Sequence, residues 1–299
     1  MPHHVPHHED RAERTAGAVL AARIAEQTAR LADLATAVRA DEPDAVHQMR
    51  ITCRRLRSTL RVFRRLLPDD RGAAAELAWL GGALGRARDC EVLGERLLAH
   101  ARELPADAGR DQVVADLVEW EREQLRLARP EVLAAVDGPR FAGLLVTLAG
   151  LAAAATGPQP PGRARRPAGP ELARAVRREH RRTARRVEAV DRAGPGDDTD
   201  LALHEARKAA KRARYTGETA GPVAGPAADR FTRRMKALQE VLGRHQDAVV
   251  ACHALRDLSD GGFGYGVLYG RQLAAADRAR EEFPAIWRKA RRRPHGLGG

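Results

Sequence analysis

The chain has 299 residues, with 52 Lys or Arg against 40 Asp or Glu, a formal net charge of +12 and a sequence pI near 10.7. It is long enough to bury a sizeable core, and its charge points to an acidic partner: nucleic acid, polyphosphate or an anionic membrane surface. Cys53, Cys90 and Cys252 lack Cys-x-x-Cys spacing, which argues against a disulfide framework or a thiolate zinc site and fits a reducing cytoplasm. With no apolar leader and no uninterrupted 18-residue apolar run, the expectation is a soluble, unexported protein.

The opening residues 1–15 read as a disordered tail. Its His3, His4, His7 and His8 sit among prolines without a scaffold of acidic or cysteine partners, so no metal site is expected there. Apolar spacing predicts a first helix over Val19–Val38. The acidic loop Asp41–Asp44 is expected to supply capping oxygens to a second helix, which Pro68 ends.

That second helix contains His47, Arg50, Arg54, Arg55 and Arg57 in the pattern His-x-x-Arg-x-x-x-Arg-Arg-x-Arg. At 100° per residue, His47, Arg50, Arg54, Arg57 and Arg61 fall within a stripe about 80° wide. Met49, Leu56, Leu60, Phe63 and Leu67 form a separate apolar stripe suited to burial in a bundle. No Asp or Glu lies between Asp44 and Asp69, although solvated helices ordinarily relieve such Arg repulsion with interleaved Glu. A helix that keeps the repulsion suits an external polyanion, whose phosphate oxygens guanidinium groups pair through two parallel hydrogen bonds.

Further helices are predicted over Ala73–Leu98, Asp111–Arg129 and Arg140–Ala155, the last read as a buried helix because it is short and Ala-rich. The Pro- and Gly-rich segment Thr156–Pro170 is the natural linker, its charge read as solvated. The order then repeats: helix Glu171–Val190, loop Asp197–Asp200, cationic helix Leu201–Thr219, turn Gly221–Pro226, helix Ala227–Leu258, and a final helix Gly266–Ala290 before a basic tail, 291–299. The cationic pattern returns as His204, Arg207, Lys211, Arg212 and Arg214, and Leu84-Gly85-x-x-x-Asp89 returns as Leu242-Gly243-x-x-x-Asp247. Two motifs repeated in order indicate an all-α protein built from two duplicated halves, 16–155 and 171–290.

These motifs, VHQMRITCRRLRSTLRVFRRLL, LGRARD, LHEARKAAKRARY and LGRHQD, resemble those of the CHAD family, the conserved-histidine α-helical domain, over roughly residues 15 to 290. The resemblance implies two four-helix bundles related by a pseudo-twofold axis, their histidine-bearing helices facing a basic channel that binds inorganic polyphosphate, often at polyphosphate granules. Many members are fused to a triphosphate-hydrolysing tunnel domain with a Glu-x-Glu-x-Lys strand. Here the nearest string, Glu119-Trp120-Glu121-Arg122-Glu123, lacks the Lys and is helical in pattern, so a stand-alone binding module is expected.

By this resemblance the polyphosphate ligands are His47, Arg50, Arg54, Arg57 and Arg61, with His204, Arg207, Lys211 and Arg214 from the second copy; Lys208, Arg88, Arg244, Arg178 and Arg182 are further candidates, and Arg86 and His245 stand beside them. Glu218 replaces Arg61 in the second copy, making that end less positive or pairing with a neighbouring Arg. Protonation of His47 and His204 would tighten binding as pH falls through about 6 to 7. Asp89 and Asp247 are read as orienting an arginine through a bidentate pair, Gly85 and Gly243 as permitting close helix packing, and the arginine run from Arg177 to Arg186 as a mostly solvated face.

The expectation is a cytoplasmic polyphosphate binder without catalysis, cofactor, metal or membrane association. Three alternatives are non-specific nucleic-acid binding, metal-dependent polyphosphate processing, and a scaffold anchored on granules through the channel. Aromatic residues make up only 4% of the chain and do not recur with the arginines, which disfavours base stacking; no acidic cluster suits a divalent metal.

Overall fold

The computed structural model describes residues 14–258, 262–294 and 296. The four N-terminal histidines lie outside these. Among the described residues there are nine α-helices and no strand: α1 (Ala16–Arg39), α2 (Ala45–Val62), α3 (Ala73–Ala83), α4 (Gly85–Ala101), α5 (Arg110–Asp137), α6 (Pro139–Thr156), α7 (Ala168–Val190), α8 (Asp197–Leu258) and α9 (Phe263–Ala290). The fold is all-α, as the periodicity indicates.

α1, α2, α3 and α6 pack as one four-helix bundle. The second bundle is α7, α9 and two arms of α8, which folds back at Gly225, where φ is +49° and ψ −134°. That conformation lies outside the helical region and suits glycine, so the expected turn is a sharp kink. The α4–α5 hairpin crosses to the other half: Leu97, Leu98, Val113 and Leu117 pack with Ala251, Leu255, Tyr265 and Leu268 of α8 and α9.

Several boundaries differ from the sequence reading. α2 ends at Val62, not at Pro68, and its terminal Val62 carbonyl, which has no partner along the helix, accepts from Arg178 Nη2 (2.6 Å). Asp44 stands at its start in the left-handed conformation (φ +62°) without capping it; its carboxylate accepts from Gln48 instead. The expected helix over 73–98 is divided at Leu84, beside Gly81, Gly82 and Gly85, all poor helix formers. α5 continues through Pro130, since Val132, Ala135 and Val136 are buried in the main core. α8 begins at Asp197, and Asp197, Asp198 and Asp200 in its first turn favour the positive end of the helix dipole.

α6 is long and apolar enough to cross a membrane by composition; the helix expected to be buried is buried along one face, over 33% of its span. Phe141, Leu144, Leu148 and Leu151 face the bundle, whereas Val146 is 73% exposed. The apolar stripe of α2 is buried throughout: Met49, Leu56, Leu60, Phe63 and Leu67.

The segment between α6 and α7 is pinned to the start of α1. Ala16 N donates to Arg166 O, Gly17 N to Ala164 O and Ala168 N to Arg14 O (2.9, 2.8 and 2.9 Å). A side chain at Gly17 would collide with the Ala155 carbonyl, which explains glycine at this crossing. Nor is the segment's charge merely solvated, because Arg163 and Arg166 pair with the buried Glu171 (2.6 and 3.4 Å). Cys53, Cys90 and Cys252 are all buried free thiols.

Candidate functional site

Burying the apolar stripe of α2 leaves its basic face turned toward α8, and the two motif-bearing helices meet there. Within each half, the His/Arg motif docks on the Leu-Gly motif in the same way. Arg50 Nη1 donates to Asp89 Oδ1 (2.9 Å) and to the Gly85 carbonyl (2.7 Å). In the other half Arg207 Nη2 lies 3.6 Å from Asp247 Oδ1, and its guanidinium lies over Gly243. The Asp residues do orient arginines, but through one nitrogen each, not the expected bidentate fork. Gly85 has open space where a side chain would be, and a Cβ at Gly243 would meet the Arg207 guanidinium only at ordinary contact distance (3.5 Å), so helix packing requires glycine at neither position.

The residue before each Asp faces the histidine of its half. His204 Nδ1 is 2.7 Å from Gln246 Oε1, while Arg88 stands close enough to His47 to oppose its protonation. Burial, reinforced by Arg88, holds the His47 pKa below its ordinary value. Its protonation is therefore shifted toward more acidic pH than that of an ordinary histidine, against the gain of charge expected from sequence.

Arg54, Arg207 and Lys211 converge between the helices. Burial lowers the Arg54 pKa, and Arg50 and Arg207 lower it further, while the neighbouring Tyr215 raises it. Lys211 is brought down to about 7 by burial, then by Arg54, Arg207 and Arg214, against a weaker opposing effect of Asp247. The two stripes thus share one cationic cluster. Its arginine Nε atoms at positions 54 and 207 are buried without a hydrogen-bond acceptor, and His47 Nδ1 without a hydrogen-bond partner, among the described residues. Buried donors without acceptors are uncommon in folded chains.

Arg214 is partly occupied. Glu218 binds Arg55 (3.0 Å), Arg214 (3.2 Å) and, more distantly, Arg23 of α1 (3.8 Å). Arg55 and Arg214 also lie over the Tyr215 ring. Arg23 and Tyr215 had no sequence signal, because their importance comes only from what packing brings beside them.

Arg57 and Arg61 continue along α2 beyond the cluster, and Arg61 enters a cleft of about 560 Å³ between the end of α2 and α7. Arg178, Arg182 and Arg185 line the same cleft, so this part of the α7 run is concave and not a plain solvated face. Four candidates lie elsewhere. Lys208 pairs with Glu205, Arg86 with Glu131 and Arg244 with Glu282, while His245 is buried against Asp200. Each finds a local partner, so the cluster does not include them. Among the described residues, no group of three or more His, Cys, Asp or Glu is placed to hold a metal ion.

The CHAD domain family model matches residues 22–256. Two uncharacterized proteins of Mycobacterium tuberculosis, Rv2226 (strain H37Rv) and MT2285 (strain CDC 1551), are each 34% identical over 279 residues, covering 89% of this chain and 52% of theirs. The chain therefore spans about half the length of the curated relatives it matches. In fold it is similar to PptA from Streptomyces chartreusis (TM-score 0.72, 24% identity, 92% of this chain and 99% of that one). It is equally similar to the CHAD domain from the plant Ricinus communis (TM-score 0.72, 24% identity, 94% of this chain and 93% of that one). With its family model matching most of its length and its fold shared with a solved CHAD domain, this chain belongs to the CHAD domain family.

Proposed function

We propose that the chain binds inorganic polyphosphate, without turning it over, in the cluster where α2 meets the first arm of α8. The observation behind this reading is the convergence of Arg54, Arg207 and Lys211 in a partly buried site, where burial first and the neighbouring arginines next hold the lysine pKa at about 7. Folding gathers these charges without a matching set of carboxylates, so a bound polyanion relieves their repulsion. A linear phosphate chain offers oxygens at every unit and has no side groups to accommodate between two helices.

Two observations favour this ligand and mode over the alternatives. Tyr215 is buried, with Arg55 and Arg214 over its ring, so it does not present an exposed platform for a stacked base. Asp89 and Asp247 face Arg50 and Arg207, an arrangement suited to positioning cations more than to holding a metal and an attacking water.

The test is competition between long-chain polyphosphate and single- or double-stranded DNA, matched in phosphate concentration and salt. Preferential polyphosphate binding, lost when Arg50, Arg54, Arg207 and Lys211 are replaced by Ala, is expected. Equal affinity for DNA would make the site a general polyanion surface, and release of orthophosphate on prolonged incubation would overturn the non-catalytic reading.

A further inference from the structure

We infer that the arginine cleft between the C-terminal end of α2 and α7 is a second subsite for the same polyphosphate chain, which makes the protein favour chains long enough to occupy both. The inference rests on the polyphosphate reading of the inner cluster.

The cleft is lined by nine arginines and only two carboxylates, Glu171 and Glu179. Both carboxylates are buried and already engaged. Glu171 binds Arg163, Arg166 and Arg174; Glu179 binds Arg212 (2.6 Å) and lies 3.5 Å from Arg178. Arg178 also caps α2 through the Val62 carbonyl, so the arginine nearest the negative end of that helix is used to close it. Arg61, Arg64, Arg65, Arg182 and Arg185 line the cleft with no hydrogen-bonded or ionic partner among the described residues.

The placement of these five follows from local structure. Because α2 stops at Val62, Arg64 and Arg65 leave the helix in a turn and enter the cleft, although the helical stripe excludes them. From the other side, α7 presents Arg178, Arg182 and Arg185 at spacings of four and three residues, on one face of the helix. A concave surface of one sign concentrates its field and attracts a flexible polyanion more strongly than the same charges spread over a convex face.

The cleft and the cluster share the basic face of α2. Arg54, Arg57 and Arg61 lie on one face of α2, so Arg61 stands about 10 Å farther along the axis than Arg54. Arg57 lies between them on this face, and Arg212, next to Lys211 of the cluster, lines the cleft from α8. Once one part of the chain is bound, the rest is held at high effective concentration beside the second subsite.

The experiment compares tripolyphosphate with long-chain polyphosphate on the wild-type chain, on an Arg61→Ser/Arg182→Ser/Arg185→Ser variant and on an Arg54→Ala/Lys211→Ala variant. The cleft variant is expected to lose about tenfold in affinity for long chains and less than about twofold for tripolyphosphate, whereas the cluster variant loses both. Long-chain affinity within twofold of wild type, or equal losses for both ligands, would overturn the second subsite while leaving the cluster reading intact. A wild-type chain that binds neither ligand sinks both. If the serine variant does not fold, Arg185→Glu alone, at an exposed position, is expected to give the same selective loss. Lysine at all three positions should recover most of the long-chain affinity, and a loss of DNA binding with unchanged polyphosphate binding would assign the cleft to nucleic acid.

Discussion

Lys211 stands among three guanidinium groups in a partly buried site, and its pKa falls from 10.5 to about 7. Between those values the unfolded chain holds a proton that the folded chain has released. The Lys211 contribution to stability therefore improves as pH rises from about 7 to 10.5, and its destabilising effect is complete below 7. Replacing this lysine with methionine is expected to raise the Tm of the ligand-free protein by a few degrees at pH 6 and to weaken polyphosphate binding. With ligand present the sign reverses, because phosphate oxygens favour the ammonium form. Wild-type affinity should fall as pH rises through about 7, and binding at pH 8 should take up a proton, measurable by calorimetry in buffers of different ionisation enthalpy. A pH-independent affinity in wild type, or a Lys211→Met protein no more stable at pH 6, would remove Lys211 from this role.

Between helices, the same opposition of charge and carboxylate fixes α1, α2 and α8 against one another. Glu218 reaches Arg23, Arg55 and Arg214 with about 20% of its side chain exposed. Its replacement by Gln should cost about 1–2 kcal/mol in denaturant unfolding, less than a fully buried pair because of partial solvent screening. The same change should strengthen polyphosphate binding by removing a negative charge beside Arg214; weakened binding would mean that Glu218 chiefly positions the arginines. At the kink of α8, Gly225→Ala should cost about 1–3 kcal/mol, since φ +49° with ψ −134° is poorly tolerated by a side chain. The sequence made the two His/Arg stripes and the apolar stripe of α2 legible because helical period alone places them. It did not show that the end of α2 is capped by Arg178, 116 residues away, because that contact exists only once α7 packs beside α2. Lys208 is drawn to Glu205, three residues earlier on its own helix and so legible from helical spacing, whereas Arg244 is drawn to Glu282, a partner that only helix packing brings into reach.

Across the whole molecule, the two halves are joined by more than the segment between them. The main core runs from Leu20 and Leu56 of the first bundle to Leu172, Phe231 and Leu238 of the second, and 164–168 is hydrogen-bonded to the start of α1. The cationic cluster lies within this shared framework, so its cations from α2 and α8 act on one another directly and should not respond independently to mutation. Arg54→Glu and Lys211→Glu should each lower polyphosphate affinity strongly, and the double variant should lose markedly less than the sum of the two free-energy changes. The first reversal already introduces a carboxylate that pairs with the remaining cation and repels phosphate, which leaves less binding energy for the second to remove. Measuring this cycle at two salt concentrations separates that coupling from general loss of charge, because a change in net charge is screened at high salt while a half-buried contact is screened much less. Non-additivity that persists at high salt is the expected result. Additive losses would mean that α2 and α8 bind separate stretches of the ligand, with no shared channel between the bundles.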